Sequence, residues 1–173
     1  MKAVLISIQP KWAEKIANGE KTIEVRKTEP KCEVPFKCYI YETKGETETP
    51  WVDEDGHFIY KGRGQVIGEF VCDKVFLLHP YTYDGGNADR ERRKLIQTFE
   101  GSSKENEILA ATCLTQDEMF DYIGAGNYGY GWHISDLKIY DKPKELSEFF
   151  TPMGKKPSYM VERPPQSWQY VEE

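Results

Sequence analysis

The sequence has no apolar run approaching the roughly 20 residues that a membrane-spanning helix needs, and no basic segment followed by an apolar signal core at its start. No membrane partner is expected, and the expected location is cytoplasmic. Its four cysteines, Cys32, Cys38, Cys72 and Cys113, form no C-x-x-C pair, and with only His57, His79 and His133 beside them they offer no zinc spacing. Buried or idle thiols are expected, with no metal and no cofactor. A basic excess is lacking too: the formal net charge is -6. A protein that coats nucleic acid without sequence preference needs many Lys and Arg contacts to phosphate, so any such contact here has to be a local patch. Much of the acidity sits in Glu42, Glu46, Glu48, Asp53, Glu54 and Asp55, which leaves the remainder of the chain nearer neutrality. No Ser-His-Asp arrangement can be read from spacing.

What is present is enough apolar and aromatic material, 39% and 13% of 173 residues, for one well-buried core. A single domain over residues 1–173 is expected. Residues 44–64 look like an insertion, an acidic loop turning at Asp55-Gly56 and returning through Phe58 and Ile59 to Gly62-Arg63-Gly64.

The stretch Gly19-Glu20-Lys21-Thr22-Ile23-Glu24-Val25-Arg26 places three ionisable side chains beside a helix end. As a strand, residues 22–26 send Ile23 and Val25 to one face and Thr22, Glu24 and Arg26 to the other. Lys21, at the bend before the strand, is expected to swing its amine toward the charged side and to be expendable for stability. Lys21, Glu24 and Arg26 are expected to share a solvent-reaching cleft, where a planar guanidinium fork and a mobile ammonium could orient a polar or anionic ligand. A half-exposed strand carrying a surface ion pair is the plainer alternative.

In chain order, Lys2 to Ile8 reads as a strand inside a sheet. Pro10 suits the first turn of a helix, Trp12, Ala13, Ile16 and Ala17 recur at helical spacing, and Asn18-Gly19 supplies its stop. Phe36 to Thr43 reads as a strand. Gln65 to Leu78 is the longest β-like run, with a bend or bulge expected at Gly68. Asp89 to Phe99 reads as an amphipathic surface helix whose basic face, Arg90, Arg93 and Lys94, is either solvated or in contact with phosphate. Glu105 to Ala111 reads as a further helix, and Thr115-Gln116-Asp117-Glu118 as a capping box opening a helix to Ile123. Gly124-Ala125-Gly126-Asn127-Tyr128-Gly129 matches G-x-G-x-x-G literally, but it follows a helix and precedes a strand at Trp132 to Tyr140. A dinucleotide fingerprint needs the opposite order, so that cofactor reading is rejected. Tyr128 and Tyr130 either stack on a nucleotide base or cover the core. Beyond Lys142-Pro143 a short helix to Phe150 and a proline-rich tail are expected.

The run from Ile6 to Lys27, with Gly19, Lys21, Glu24 and Arg26 in the pattern G-x-K-x-x-E-x-R, resembles the opening signature of ASCH-domain proteins, a branch of the PUA-like superfamily. Pro164-Pro165-Gln166-Ser167-Trp168-Gln169-Tyr170 is similar to the ending of one ASCH subgroup, and Gly68-Glu69-Phe70 to a central segment of the family. The resemblance implies an α+β fold, a PUA-like small mixed β-barrel with flanking short helices. It further implies either a module that binds RNA or a nucleotide, or a hydrolase: an amidohydrolase acting on a modified nucleoside such as N4-acetylcytidine, or a ribonuclease. Lys21 and Glu24 are then the catalytic candidates, and Arg26, Glu69, Tyr128, Tyr130 and Ser167 the ligand-binding ones. Deacetylating members carry a catalytic threonine three residues after the lysine. This chain has Glu24 there, which speaks against their threonine mechanism.

Overall fold

The computed structural model describes residues 3–84, 92–100, 102–154 and 157–172. The chain divides into two compact units interleaved in sequence: residues 1–19, 35–71 and 135–173 make one, residues 20–34 and 72–134 the other. No helix among the described residues is long and apolar enough to cross a membrane.

The first unit is built on β1 (Ala3–Ile8), whose six residues are all buried and which is paired on both edges. It runs parallel to β3 (Phe36–Glu42) and antiparallel to a C-terminal strand, Trp168–Val171. That last strand lies in the stretch expected as a proline-rich tail, and pairing with β1 satisfies its backbone. Helix α1 (Pro10–Ala17) follows with Pro10 in its first turn and with Ala13 and Ile16 buried one helical turn apart. Gly19 ends it at φ +74, a conformation in which a Cβ would be strained although nothing stands within 4 Å of it.

The second unit opens with β2 (Ile23–Arg26). The acidic stretch after β3 forms a hairpin of β4 (Glu46–Val52) and β5 (Phe58–Lys61) in the first unit. The long β-like run is two strands, β6 (Val66–Cys72) and β7 (Val75–Asp84), separated at Asp73-Lys74. The expected irregularity at Gly68 is present in the pairing of β6 with a later strand, Ser135–Lys144. Register slips on both sides of the Ile139–Gly68 pair, and a Cβ on Gly68 would stand 2.6 Å from the Lys138 carbonyl oxygen.

One expectation is overturned. Arg92–Thr98 is a strand, β8, paired antiparallel with β7 from Leu78–Thr98 to Asp84–Arg92, where a surface helix was expected. Residues 89–91, the start of that expected helix with Arg90 of its basic face, lie outside the described residues. Arg, Lys, Leu and Gln are all good helix formers, but Ile96 and Thr98 are buried while Arg93 and Gln97 are exposed, a period of two. Cross-strand pairing overrides the local propensity.

Helix α2 (Ser102–Ala111) and helix α3 (Gln116–Ile123) follow as expected. The capping box of α3 is formed, with Thr115 Oγ accepting from the Glu118 amide and the Glu118 carboxylate accepting from the Thr115 amide. The stretch expected as one strand from Trp132 to Tyr140 is two: β9 (Gly129–His133) in the second unit and β10 (Ser135–Lys144) in the first. A 3-10 turn at Leu146–Glu148 stands where a short helix was expected, and the C-terminal strand is β11.

The sheets are therefore β10-β6-β3-β1-β11 and the β4-β5 hairpin in the first unit, and β2-β9-β7-β8 in the second. Among the described residues these ladders are open, and no ring of strands closes on itself. Leu5, Tyr39, Val66, Phe149 and Val171 anchor the first core. In the second, Ile23 and Val25 pack with Leu78 and Ile96 of the sheet and with Ile108, Met119 and Phe120 of the two helices.

Candidate functional site

The charged stretch is buried on both faces. Ile23 and Val25 join the core of the second unit, as their parity requires, while Glu24 and Arg26 on the other face pair across the ladder with Trp132 and Tyr130 of β9. Trp132 is fully buried. Residue exposures of 2% for Lys21, 6% for Glu24 and 7% for Arg26 correct the picture of a bend lysine and a half-exposed pair.

Helix α2 is the reason Lys21 is buried. The last carbonyls of a helix have no partner within it and carry the negative end of its dipole. Here the Thr22 amide donates to the Ala111 carbonyl at 3.0 Å, and Lys21 Nζ donates to the Thr112 carbonyl at 2.6 Å. Lys21 Nζ also donates to the Ile23 carbonyl at 2.9 Å and stands 3.4 Å from Glu24 Oε2. An ammonium has three protons, and these three acceptors take them. Lys21 thus supplies the cation that the last turn of α2 lacks in its own sequence.

Glu24 Oε1 accepts from Arg26 at 2.9 Å, so each carboxylate oxygen faces one cation. Two cations and one anion leave the trio formally positive. The guanidinium of Arg26 also hydrogen-bonds the hydroxyl of Tyr122, near the end of α3. Burial pushes the Tyr122 phenol above its usual range; the positive charge and hydrogen bond of Arg26 oppose that shift, and the negative charge of Glu24 adds to it. Tyr122 is 38% exposed, and the Nζ of exposed Lys27 lies 5.1 Å above its ring, a cation–π contact. At this corner the sealed trio adjoins solvent-facing side chains.

The other candidates have partners of their own. Tyr130 neighbours Arg26 across the β2–β9 ladder. Tyr128 is exposed and packs its ring on His79 at 5.0 Å between centroids. Glu69 and Ser167 belong to the first unit. Glu69 accepts from Lys37 Nζ at 3.0 Å and from the Tyr140 hydroxyl. Burial would raise the Glu69 carboxyl, but these two hydrogen bonds and the charge of Lys37 outweigh it and hold it below its usual range. The Tyr140 phenol is raised by burial and by Glu69. Ser167 precedes β11 and its carbonyl accepts from the Ser7 amide. Sequence reasoning missed Thr112, Tyr122 and Trp132, and no local signal could have found them, because Thr112 lies 91 residues beyond Lys21 and the others later still.

Among the described residues, one group has the composition of a cation site: Asp53, Asp55 and His57, with ligand atoms within 4.8 Å of one another. The Asp53 carboxylate already accepts from the amides of Asp55 and His57, as expected of a turn closing the β4–β5 hairpin.

Solved structures share this architecture. The crystal structure of an ASCH protein from Zymomonas mobilis superposes with a TM-score of 0.60 at 16% identity, over 99% of this chain and 88% of that one. Structures of its tyrosine-to-phenylalanine and serine-to-alanine variants give TM-scores of 0.59 and 0.58, also at 16% identity, covering 100% and 99% of this chain and 92% and 89% of theirs. At that identity the likeness concerns the fold. No curated protein matches the sequence. The family model of the ASCH domain matches residues 6–82, which run from the second half of β1 through most of β7 and include the whole charged trio. That match spans less than half of the chain, and over the whole length the chain shares the fold of the solved ASCH structures.

Proposed function

We propose that the protein binds RNA or a nucleotide through the corner formed by Arg26, Lys27 and Tyr122. The observation that carries this reading is the charge of the β2 trio: a buried network with two cations to one anion ends, through Arg26, at a half-exposed tyrosine capped by a further lysine. An anionic phosphate gains from that excess, and the tyrosine ring offers a base a face to stack on. The family is generally linked to RNA binding, which agrees with it. In this reading Lys21 and Glu24 are positioning residues that fix the guanidinium, and Tyr130 flanks it.

A hydrolase acting on a modified nucleoside or on RNA is the second reading, and Glu24 in contact with Lys21 is the observation that favours it. For general-base work Glu24 has to release one of its partners.

The test titrates the protein with short single-stranded RNAs and incubates it with N4-acetylcytidine. Binding that weakens as salt rises, and weakens about tenfold in Lys27→Ala without a change in melting temperature, is expected. Acetate release or RNA cleavage that disappears in Glu24→Gln would select the second reading. No binding to any RNA sinks the first.

A further inference from the structure

We propose that the first unit holds a binding site for a small organic cation, an ammonium or guanidinium on an apolar stem, in the cavity onto which Tyr41 opens. All of its residues belong to the first unit, and none is shared with the charged corner of β2.

Three segments build the cavity. Tyr41 comes from the end of β3 with Lys44 just beyond it, Gly64 stands at the approach to β6, and the 3-10 turn after β10 meets residues 160–164. Gly64 has φ +68, and a Cβ there would lie 2.4 Å from Lys44 Cε, so the lysine stem runs across the bare glycine as one wall. The Val161 amide donates to the Phe149 carbonyl at 2.8 Å, which ties the 160–164 segment to the residue ending the 3-10 turn. The volume is about 340 Å³, within the range of small-molecule pockets. A single metal ion would leave most of it to water.

Tyr41 is the group that points to a ligand. Its side chain belongs to the first core and the residue is only 4% exposed. Among the described residues its hydroxyl has no hydrogen-bond partner, and it opens on the cavity. A buried tyrosine ordinarily finds such a partner. Burial, and then the negative charge of Glu145, raise the phenol, so the hydroxyl is neutral and offers its lone pairs as an acceptor.

The charges at the mouth select the sign of the occupant. Glu145 and Glu162 are exposed there, and neither has a cation within ion-pair distance among the described residues. Gln65 Nε2 donates to Glu145 Oε1 at 2.5 Å and holds that carboxylate in place. Lys44 supplies the one opposing charge of the lining. Two carboxylates against one ammonium, with the phenol oxygen as a further acceptor, suit a cation rich in donors, whereas a phosphate would meet net repulsion. Leu146 and Val161 give the carbon stem an apolar wall, as long basic side chains require when their heads rest on acceptors. A basic peptide side chain or a free diamine supplies such a group.

The experiment titrates the full chain with 1,5-diaminopentane, Nα-acetyl-lysine amide, pentanol, pentanoate and adenosine monophosphate, read by calorimetry and by amide NMR shifts at Gly64, Leu146 and Val161. Both amines should bind at least about tenfold tighter than pentanol or either anion, the contribution of a charge-assisted hydrogen bond. Whichever amine binds tighter, the cation site stands and the source of the cation is named. Tyr41→Phe removes no hydrogen bond within the protein, so it should keep the melting temperature while weakening both amines about fivefold. Glu162→Gln should weaken them about tenfold, again without a change in melting temperature. Pentanol as tight as the amines, a preference for pentanoate or adenosine monophosphate, amine affinity unchanged in either variant, shifts confined to other residues, or no amine binding at all overturns the proposal.

Discussion

Two lysine–carboxylate pairs of the same length class behave as different objects in this fold. Lys21 and Glu24 are sealed beneath α2 and β9, whereas Lys37 and Glu69 stand on the β3–β6 face with 42% and 20% of their side chains exposed. A pair in water gains little, since solvent screens the attraction and two long side chains lose freedom. A sealed pair has paid for desolvation, and each member then depends on the other. The number of ion pairs on β2 and β3 therefore says less about stability than what covers them.

The largest effect expected from this difference is in Glu24→Ala. It leaves Lys21 and Arg26 buried as like charges with the anion between them gone, and a cost of about 3–5 kcal/mol is expected. In a chain of this size that lowers the melting temperature by about 10 °C, read from thermal unfolding of the variant and parent. A drop below 2 °C would mean that water reaches the trio in solution.

Lys21→Ala should follow, at about 3 kcal/mol. The Thr112 and Ile23 carbonyls lose their shared donor and the last turn of α2 loses its cation, but Glu24 keeps Arg26. The sequence alone pointed the other way, to an expendable side chain at a bend. The strand, its parity and the glycine stop of α1 were legible because each is a local matter of spacing and φ. The burial of Lys21 was not, because Thr112, Trp132 and Tyr122 come from α2, β9 and α3. Strand β8 was hidden for a related reason: Leu95 and Ile96 are adjacent, so the apolar pattern fits either period, and only pairing with β7 decides. Hydrogen exchange at the α2 C-terminus, faster in Lys21→Ala than in the parent, would locate the loss at the helix end.

A smaller effect is expected from pH at the open cluster. The Glu69 carboxyl is held below its ordinary value of 4.5 in the folded protein, so it binds a proton more readily when unfolded. Its contribution to stability is full above that value and is lost as pH falls through the lower folded value. The Tyr140 phenol is raised above its ordinary 10.0, so its contribution is full below that pH and is lost as pH rises beyond it. Glu69→Gln should flatten the acid limb of the stability profile, and Tyr140→Phe the alkaline limb. An acid limb unchanged in Glu69→Gln would assign acid unfolding to other carboxylates.

The smallest effect should be that of Lys37→Ala. Its ammonium donates to Glu69 and, more distantly, to the Tyr39 hydroxyl, while its side chain remains partly exposed to water. When it is removed, Glu69 keeps the Tyr140 hydroxyl and gains access to solvent, so no charge is stranded. A loss of about 0.2–1 kcal/mol is expected, shrinking further in 1 M salt, where the screening length falls to about 3 Å. The decisive form is a pair of double-mutant cycles. Coupling between Lys21 and Glu24 should exceed that between Lys37 and Glu69 by about 2 kcal/mol and should resist salt. Equal couplings would mean that cover does not distinguish the two pairs.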